Sequence, residues 1–213
     1  MSYNRFKFIR KKLAFSHTPQ EAKTFDGIRP VIDMFNERAA QVFRSGTNIV
    51  IDESTSGWHG KHEKMADGPP ALTHMKGKPE TVSFMIKNVC DVQSGIMFAL
   101  EFQEGKEEMA KRAYVKDGEK PTTACVLRLM DRVAGEGLIL HGDSWFASLN
   151  TLQKVKAQGN YFVGLIKTAH SGIPVKWLQS QFTAASLRGE LCAARIRVCS
   201  SNSPHSRVLS VSQ

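Results

Sequence analysis

Asn48-Ile49-Val50-Ile51-Asp52-Glu53 reads as a short buried strand that stops on two carboxylates. Ile49, Val50 and Ile51 are β-branched and apolar, which suits a strand covered on both faces. Asp52 and Glu53 then fall where that strand meets solvent. Taken alone, this is the ordinary surface end of a strand with solvated acids. A second stretch of the same design changes the reading: Leu138-Ile139-Leu140-His141-Gly142-Asp143 is again an apolar run closing on an aspartate. Two core strands that each deliver an aspartate to one end of a sheet can place both carboxylates on one divalent ion. Hard oxygen ligands suit Mg2+ or Mn2+. Such ions activate an attacking hydroxyl and stabilise a leaving oxygen in phosphodiester chemistry.

Outward from these stretches the chain alternates helix and strand. Gly27 to Phe43 reads as a helix with Pro30 in its first turn and Ile32, Met34, Phe35, Ala39, Val42 and Phe43 as its apolar stripe. Ser54 to Pro79, rich in Gly, Pro and basic residues, reads as a long loop. Its His59, His62 and His74 have no cysteine or acid at ligand spacing and read as surface histidines. Thr81 to Val92 and Ile96 to Gln103 form two strands of a hairpin around Gln93-Ser94-Gly95. The charged stretch from Glu104 leads to a turn at Asp117-Gly118. Thr122 to Ala134 and Ser148 to Gln158 are helices, and Tyr161 to Ile166 is a third core strand. The resulting order is strand with acid, hairpin, helix, strand with acid, helix, strand, which is a mixed α/β layout.

The two ends carry less pattern. Met1 to Phe15 is a short amphipathic helix or arm in which aromatics alternate with Arg5, Lys7, Arg10, Lys11 and Lys12. It can be read as a DNA-contacting arm or as a packing helix, and its aromatic spacing favours packing. From Ser186 the chain is rich in Ser and Arg and is expected to be poorly ordered.

A net charge of +9 favours an anionic partner, nucleic acid before a membrane surface. No run has the length to span a bilayer and the basic N-terminus is not followed by a signal-like apolar segment, so an intracellular protein with no membrane partner is expected. Cys90, Cys125, Cys192 and Cys199 include no CxxC pair and read as free thiols in a reducing compartment. Cys192, Cys199 and His205 share a segment, but their spacing fits no zinc site.

Several pieces of the chain together resemble the piggyBac-type transposases and their transposable-element-derived relatives. These are Met1 to Phe6, Arg29 to Asn36, Ile51-Asp52-Glu53 with Trp58-His59-Gly60-Lys61 behind it, and Lys78-Pro79. Gly142-Asp143-Ser144-Trp145-Phe146-Ala147-Ser148 and Gly164-Leu165-Ile166-Lys167-Thr168 complete the set. Order and spacing hold over about residues 1 to 182. The resemblance implies an RNase H-like mixed sheet with flanking helices, incomplete at the C-terminus. It divides the chain into an N-terminal helical part (1–47), an RNase H-like core (48–182) and an irregular tail (183–213). It also implies a DNA transposase ancestry, in which three aspartates bind two divalent metals and phosphodiesters are attacked at transposon ends that insert at TTAA. Asp52 matches the first catalytic, metal-binding acid and Asp143 the second. Trp145 and Phe146 are expected to pack rather than react.

The family's third acid should lie about a hundred residues further on, going by the resemblance, and after Asp143 the only acid here is Glu190. The expectation is therefore a transposase-derived protein without transposition activity. Alternatives are a domesticated DNA-binding or protein-interaction module without catalysis, and a residual metal-dependent nuclease. DNA as partner, a homodimer and a nuclear location follow from the same resemblance.

Overall fold

The computed structural model describes residues 1–12, 25–58, 71–74, 76–77, 81–133, 135, 137–167 and 173–181. Among them, β1 (Asn48–Gly57) is the axis of a six-stranded mixed sheet. β1 pairs antiparallel with β3 (Val82–Asp91), from Ile49 opposite Asp91 to Gly57 opposite Ser83. On its other side it pairs in parallel with β5 (Ile139–Gly142), from Asn48 and Ile139 to Ile51 and Gly142. β6 (Tyr161–Gly164) continues the parallel side, while β2 (Thr73–His74) and β4 (Met97–Phe102) both pair with β3. This is the mixed α/β sheet with flanking helices that the sequence implied.

The first strand differs from its reading in one respect: it does not stop at Asp52. β3 supplies backbone partners as far as Ser83, so β1 runs on through Ser54, Thr55 and Ser56 to Gly57. Only the parallel pairing ends at the acids, because β5 ends there.

One face of the sheet is closed by α4 (Pro121–Met130) and α5 (Leu149–Ala157). Thr123 to Met130 are all buried, so α4 is a core helix, and its buried polar side chains are partnered, Thr123 by Thr151 and Arg128 by Glu101. Its Cys125, Val126 and Leu129 form one cluster with Ile49, Ile51, Val89, Leu140, Phe146 and Val155. Burial of these side chains contributes about 1.5–3 kcal/mol each and dominates the stability of this unit.

α2 (Arg29–Val42) has Pro30 in its first turn as the sequence suggests, but only part of its apolar stripe faces inward: Ile32, Ala39 and Phe43 are half-buried, and Ala39 and Phe43 pack against the core. Met34 and Val42 are each 63% exposed, and the buried residue is Asn36. The reason lies in β4, which exposes an unpaired strand edge to this helix. Asn36 Nδ2 donates to the Leu100 carbonyl and its Oδ1 accepts from the Leu100 N–H, both at 2.9 Å. A side-chain amide closes that edge, where an apolar side chain would strand two backbone groups.

Tyr161 to Ile166 was expected to be a core strand. β6 is instead the last strand of the described sheet, with Tyr161 and Val163 about half exposed. The charged stretch after Glu104 contains a short helix, α3 (Lys106–Ala110), that the sequence did not announce. α1 (Tyr3–Lys12) is exposed where described, which is not the burial expected of a packing helix. The chain divides into two compact units, Met1–Leu165 and Ile166–Gln213. The second contains α6 (Val175–Ser180). No helix among the described residues is long and apolar enough to cross a membrane. The expectations for His59, His62, Lys78-Pro79, Glu190, Cys192, Cys199, His205 and the tail from Ser186 fall outside the described residues.

Candidate active site

Asp52 and Asp143 each follow the last paired residues of the parallel β1–β5 ladder, Ile51 and Gly142. Neighbouring strands lie about 4.8 Å apart, so the register delivers both acids to one end of the same two strands. Both are exposed. Ile51 is buried, and alternation turns Asp52 to the opposite face of the sheet. That face also carries Val50, its β5 partner His141 and its β3 partner Cys90. The Cys90 thiol is pushed up by its burial and then by the negative charge of Asp52, which places that carboxylate close by.

The two acids are held differently. Asp52 sits within a continuous strand, and its Oδ1 accepts the Glu53 N–H at 2.7 Å. Asp143 opens a turn: its Oδ1 accepts the Trp145 N–H at 2.8 Å and its carbonyl accepts the Ala147 N–H at 3.1 Å. Phe146 and Ala147, both buried, anchor that turn in the core. Gly142 permits it, since a Cβ there would come within 3.1 Å of Ile51 Cγ2 and 3.3 Å of Phe146 Cβ. Ser148 then caps α5, accepting the Thr151 N–H at 3.0 Å. Trp145 and Phe146 pack edge to face, 4.7 Å between ring centroids.

Beneath the acids, on the covered face, runs a row of charge. Lys87 lies opposite Glu53 across β1 and opposite Glu101 across β4. It is buried and hydrogen-bonds to Glu53. Arg128 of α4 forks onto Glu101 at 2.7 and 2.8 Å, and Arg112 reaches Glu101 at 3.3 Å. Arg112 and Arg29 share Glu104, with Arg29 donating to both its oxygens at 2.7 and 3.0 Å. Burial pushes the Glu104 carboxyl up, but the hydrogen bonds and charges of Arg29 and Arg112 outweigh it and hold it below its usual range. Burial also lifts the Cys125 thiol to about 12, which leaves it an inert core residue.

Reading the sequence alone missed Lys87 and Asn88, the latter lying opposite Asp52 across β1 and donating to Ser54 Oγ at 2.7 Å. The signal was a Lys-Asn pair inside an otherwise apolar strand, Phe84-Met85-Ile86-Lys87-Asn88-Val89, where a solvated lysine would have been on the open face. The carboxylates that the sequence did single out remain two: among the described residues no group of three or more His, Cys, Asp or Glu could hold a metal.

A family model for Transposase IS4 matches residues 1–212. Among solved structures, the cryo-EM structure of a piggyBac transposase synaptic complex with hairpin DNA is similar to this chain, with a TM-score of 0.71 and 21% sequence identity. That likeness, one of fold, covers 91% of this chain and 39% of the piggyBac chain. No curated protein matches. With the family model spanning nearly the whole sequence and the sheet sharing the fold of a piggyBac transposase, the chain belongs to the Transposase IS4 family.

Proposed function

We propose that this chain carries the two-aspartate part of a transposase site, with Asp52 and Asp143 as ligands of Mg2+ or Mn2+ and DNA as the substrate class. The observation that carries the reading is the parallel register, which ends at Ile51 and Gly142 and leaves both acids together at one sheet end. The donor set fits a hard divalent cation: two exposed carboxylates, on strands whose other faces are locked in the core. When bound, such a cation polarises a phosphodiester and lowers the pKa of an attacking water. Asp52 and Asp143 hold and orient it, and their N–H contacts from Glu53 and Trp145 leave carboxylate lone pairs free for that task.

Two ligands leave the cation loosely held, and looseness of about 1 Å is enough to stop chemistry. With two ligands among the described residues, the reading is that metal and DNA are bound without cleavage, the family's transposition chemistry being ancestral. DNA affinity rests on the net charge of +9 and on exposed Arg5, Lys7 and Arg10 of α1. Residues 1–47, 48–182 and 183–213 then serve as N-terminal helical part, metal-bearing core and tail. Insertion sites of TTAA type, transposon ends as ligands, a homodimer and a nuclear location belong to the same proposal.

The test is Mn2+ titration together with nicking of supercoiled plasmid, on the wild type and on Asp52→Asn and Asp143→Asn. Weak Mn2+ binding that either substitution abolishes, with no nicking, supports the proposal. Mn2+ binding that both variants retain refutes the ligand assignment. Nicking that depends on both aspartates would make the chain a metal-dependent nuclease that draws a further carboxylate from elsewhere. DNA binding indistinguishable from a neutral protein at 50 mM salt would remove the nucleic-acid part.

A further inference from the structure

Lys87 is 1% exposed in the middle of β3 and is among the largest fully buried side chains of the described residues. A buried ammonium needs compensating partners, and the ones found here come from two separate stretches of chain. One is Glu53 of β1, which takes a hydrogen bond from Nζ. The other is the turn after β5: Nζ lies 3.7 Å from the ring centroid of Trp145 and 5.5 Å from that of Phe146. Glu53 is the residue after Asp52, and Trp145 donates the N–H that holds Asp143 Oδ1. A single cation is thus the common partner of both aspartate-bearing segments.

Its position matters because of what the backbone leaves undone. The β1–β5 ladder ends at Ile51 and Gly142, so no strand pairing ties Asp52 to Asp143. From there on, the Glu53–Lys87–Trp145 contacts join the two segments from the covered face of the sheet. A buried ion pair of this kind is weak evidence for stability, since apolar replacements of equal volume are often as good. What a cation adds is a fixed distance and direction between its partners.

We propose that Lys87 is a positioning residue, a latch that sets the Asp143 turn against β1 and so fixes the spacing of the two carboxylates. Its effect on metal binding rests on the reading of Asp52 and Asp143 as ligands; the latch itself can be measured without metal.

The experiment uses the full chain, isotope-labelled, with amide hydrogen exchange read by NMR and Mn2+ alone as the metal probe. In Lys87→Met, exchange of the Trp145 amide is expected to rise about tenfold or more as the turn loosens, while Ile49 and Leu140 keep their protection. The Mn2+ affinity should fall about 10–100-fold, as for loss of a residue that orients a ligand. Trp145→Leu, which spares the Lys87–Glu53 pair at a partly exposed position, should loosen the amide of residue 145 in the same way, and Trp145→Phe should restore it. This pair decides the matter if Lys87→Met does not fold. Unchanged exchange at residue 145 in Lys87→Met or Trp145→Leu overturns the latch, as does a uniform loss of protection across Ile49 and Leu140 in Trp145→Leu. If the turn loosens but the wild type binds no Mn2+, the latch stands and the ligand assignment of Asp52 and Asp143 fails instead.

Discussion

The covered face of the sheet has two ends built on opposite principles. Under β1 and β5 it is dry: Ile49, Ile51, Leu140, Phe146 and Val155 meet Val126 and Leu129 with no charge among them. Beside it, toward β3 and β4, runs a row of charge: the acids Glu53, Glu101 and Glu104 and the bases Lys87, Arg128, Arg112 and Arg29 come together from three strands, two helices and the segments on either side of α3. The dry end tolerates small changes in any one side chain, because each contributes area in proportion to its size. The ionic end does not, because removing one charge leaves its neighbours buried and uncompensated. The two aspartates lie where the ends meet, one residue from Glu53 and two residues from Trp145.

Glu101 is the sharpest place to test that contrast. It is 3% exposed, receives Arg128 through two hydrogen bonds and is ion-paired with Arg112 at 3.3 Å. Glu101→Gln is nearly isosteric, yet it leaves the Arg128 guanidinium without its counter-charge. The expected loss is about 3–5 kcal/mol in urea denaturation, as for breaking one side of a buried pair. A loss below about 1 kcal/mol would mean that water or rearrangement relieves the charge, and the row would then be no more demanding than a surface ion pair.

These two ends were not equally legible. Ile49-Val50-Ile51 and Leu138-Ile139-Leu140 announce themselves, because a buried strand writes its burial into adjacent residues. The hairpin at Gln93-Ser94-Gly95 was equally local: Gly95 takes φ +70°, and Asp91 accepts from the Ser94 N–H at 2.7 Å. The ionic row is not local. Arg29 meets Glu104 across 75 positions and Arg128 meets Glu101 across 27, so nothing in either local stretch shows the pairing. Asn36 was hidden for the same reason, since its partner Leu100 is 64 positions away. Of the stripe read on α2, Ala39 and Phe43 do pack on the core, while Met34, Phe35 and Val42 are exposed, because periodicity counts apolar residues and cannot see a strand edge in need of an amide. Asp52 and Asp143 stood out only because two apolar runs close on an acid, and their shared register comes from pairing between strands far apart in sequence.

Acid should expose the ionic end before the dry one. The Glu104 carboxyl is held below its usual range in the folded chain, so it binds a proton less readily there than when unfolded. Its contribution is complete above the unfolded value, about 4.3, and is lost as pH falls through the lower folded value. The wild type should therefore lose stability with falling pH below about 4 more steeply than Glu104→Gln does. Parallel curves for the two proteins, from thermal melts between neutral pH and pH 3, would show that Arg29 and Arg112 do not depend on this charge.

Ser148→Ala moves to the polar seam between α4 and α5. The substitution removes the cap on the Thr151 N–H and one partner of Thr151 Oγ1, which keeps Thr123 Oγ1 at 3.0 Å. About 1 kcal/mol should be lost, the ordinary cost of an N-cap, because the second hydroxyl contact remains. A loss of 3 kcal/mol or more would show that the cap also holds the turn immediately upstream, Asp143-Ser144-Trp145-Phe146-Ala147, and that α5 and the turn move together.

The smallest effect is expected at the dry end. Ile51 is 1% exposed and its Cγ2 lies against Gly142. Ile51→Val keeps that methyl and the β-branch and removes only the terminal one, so the close fit with Gly142 survives. The cost should be about 0.5–1.5 kcal/mol, set by one lost methyl and the small gap it leaves. Ile51 and Glu101 each change by an atom or less in size under these substitutions, and both lie on the same face of the same sheet. A several-fold larger cost at Glu101 would therefore reflect charge rather than packing. If Ile51→Val instead matched Glu101→Gln, the excess would have to come through Gly142 and the Asp143 turn, and the dry end would itself be holding the acids in place.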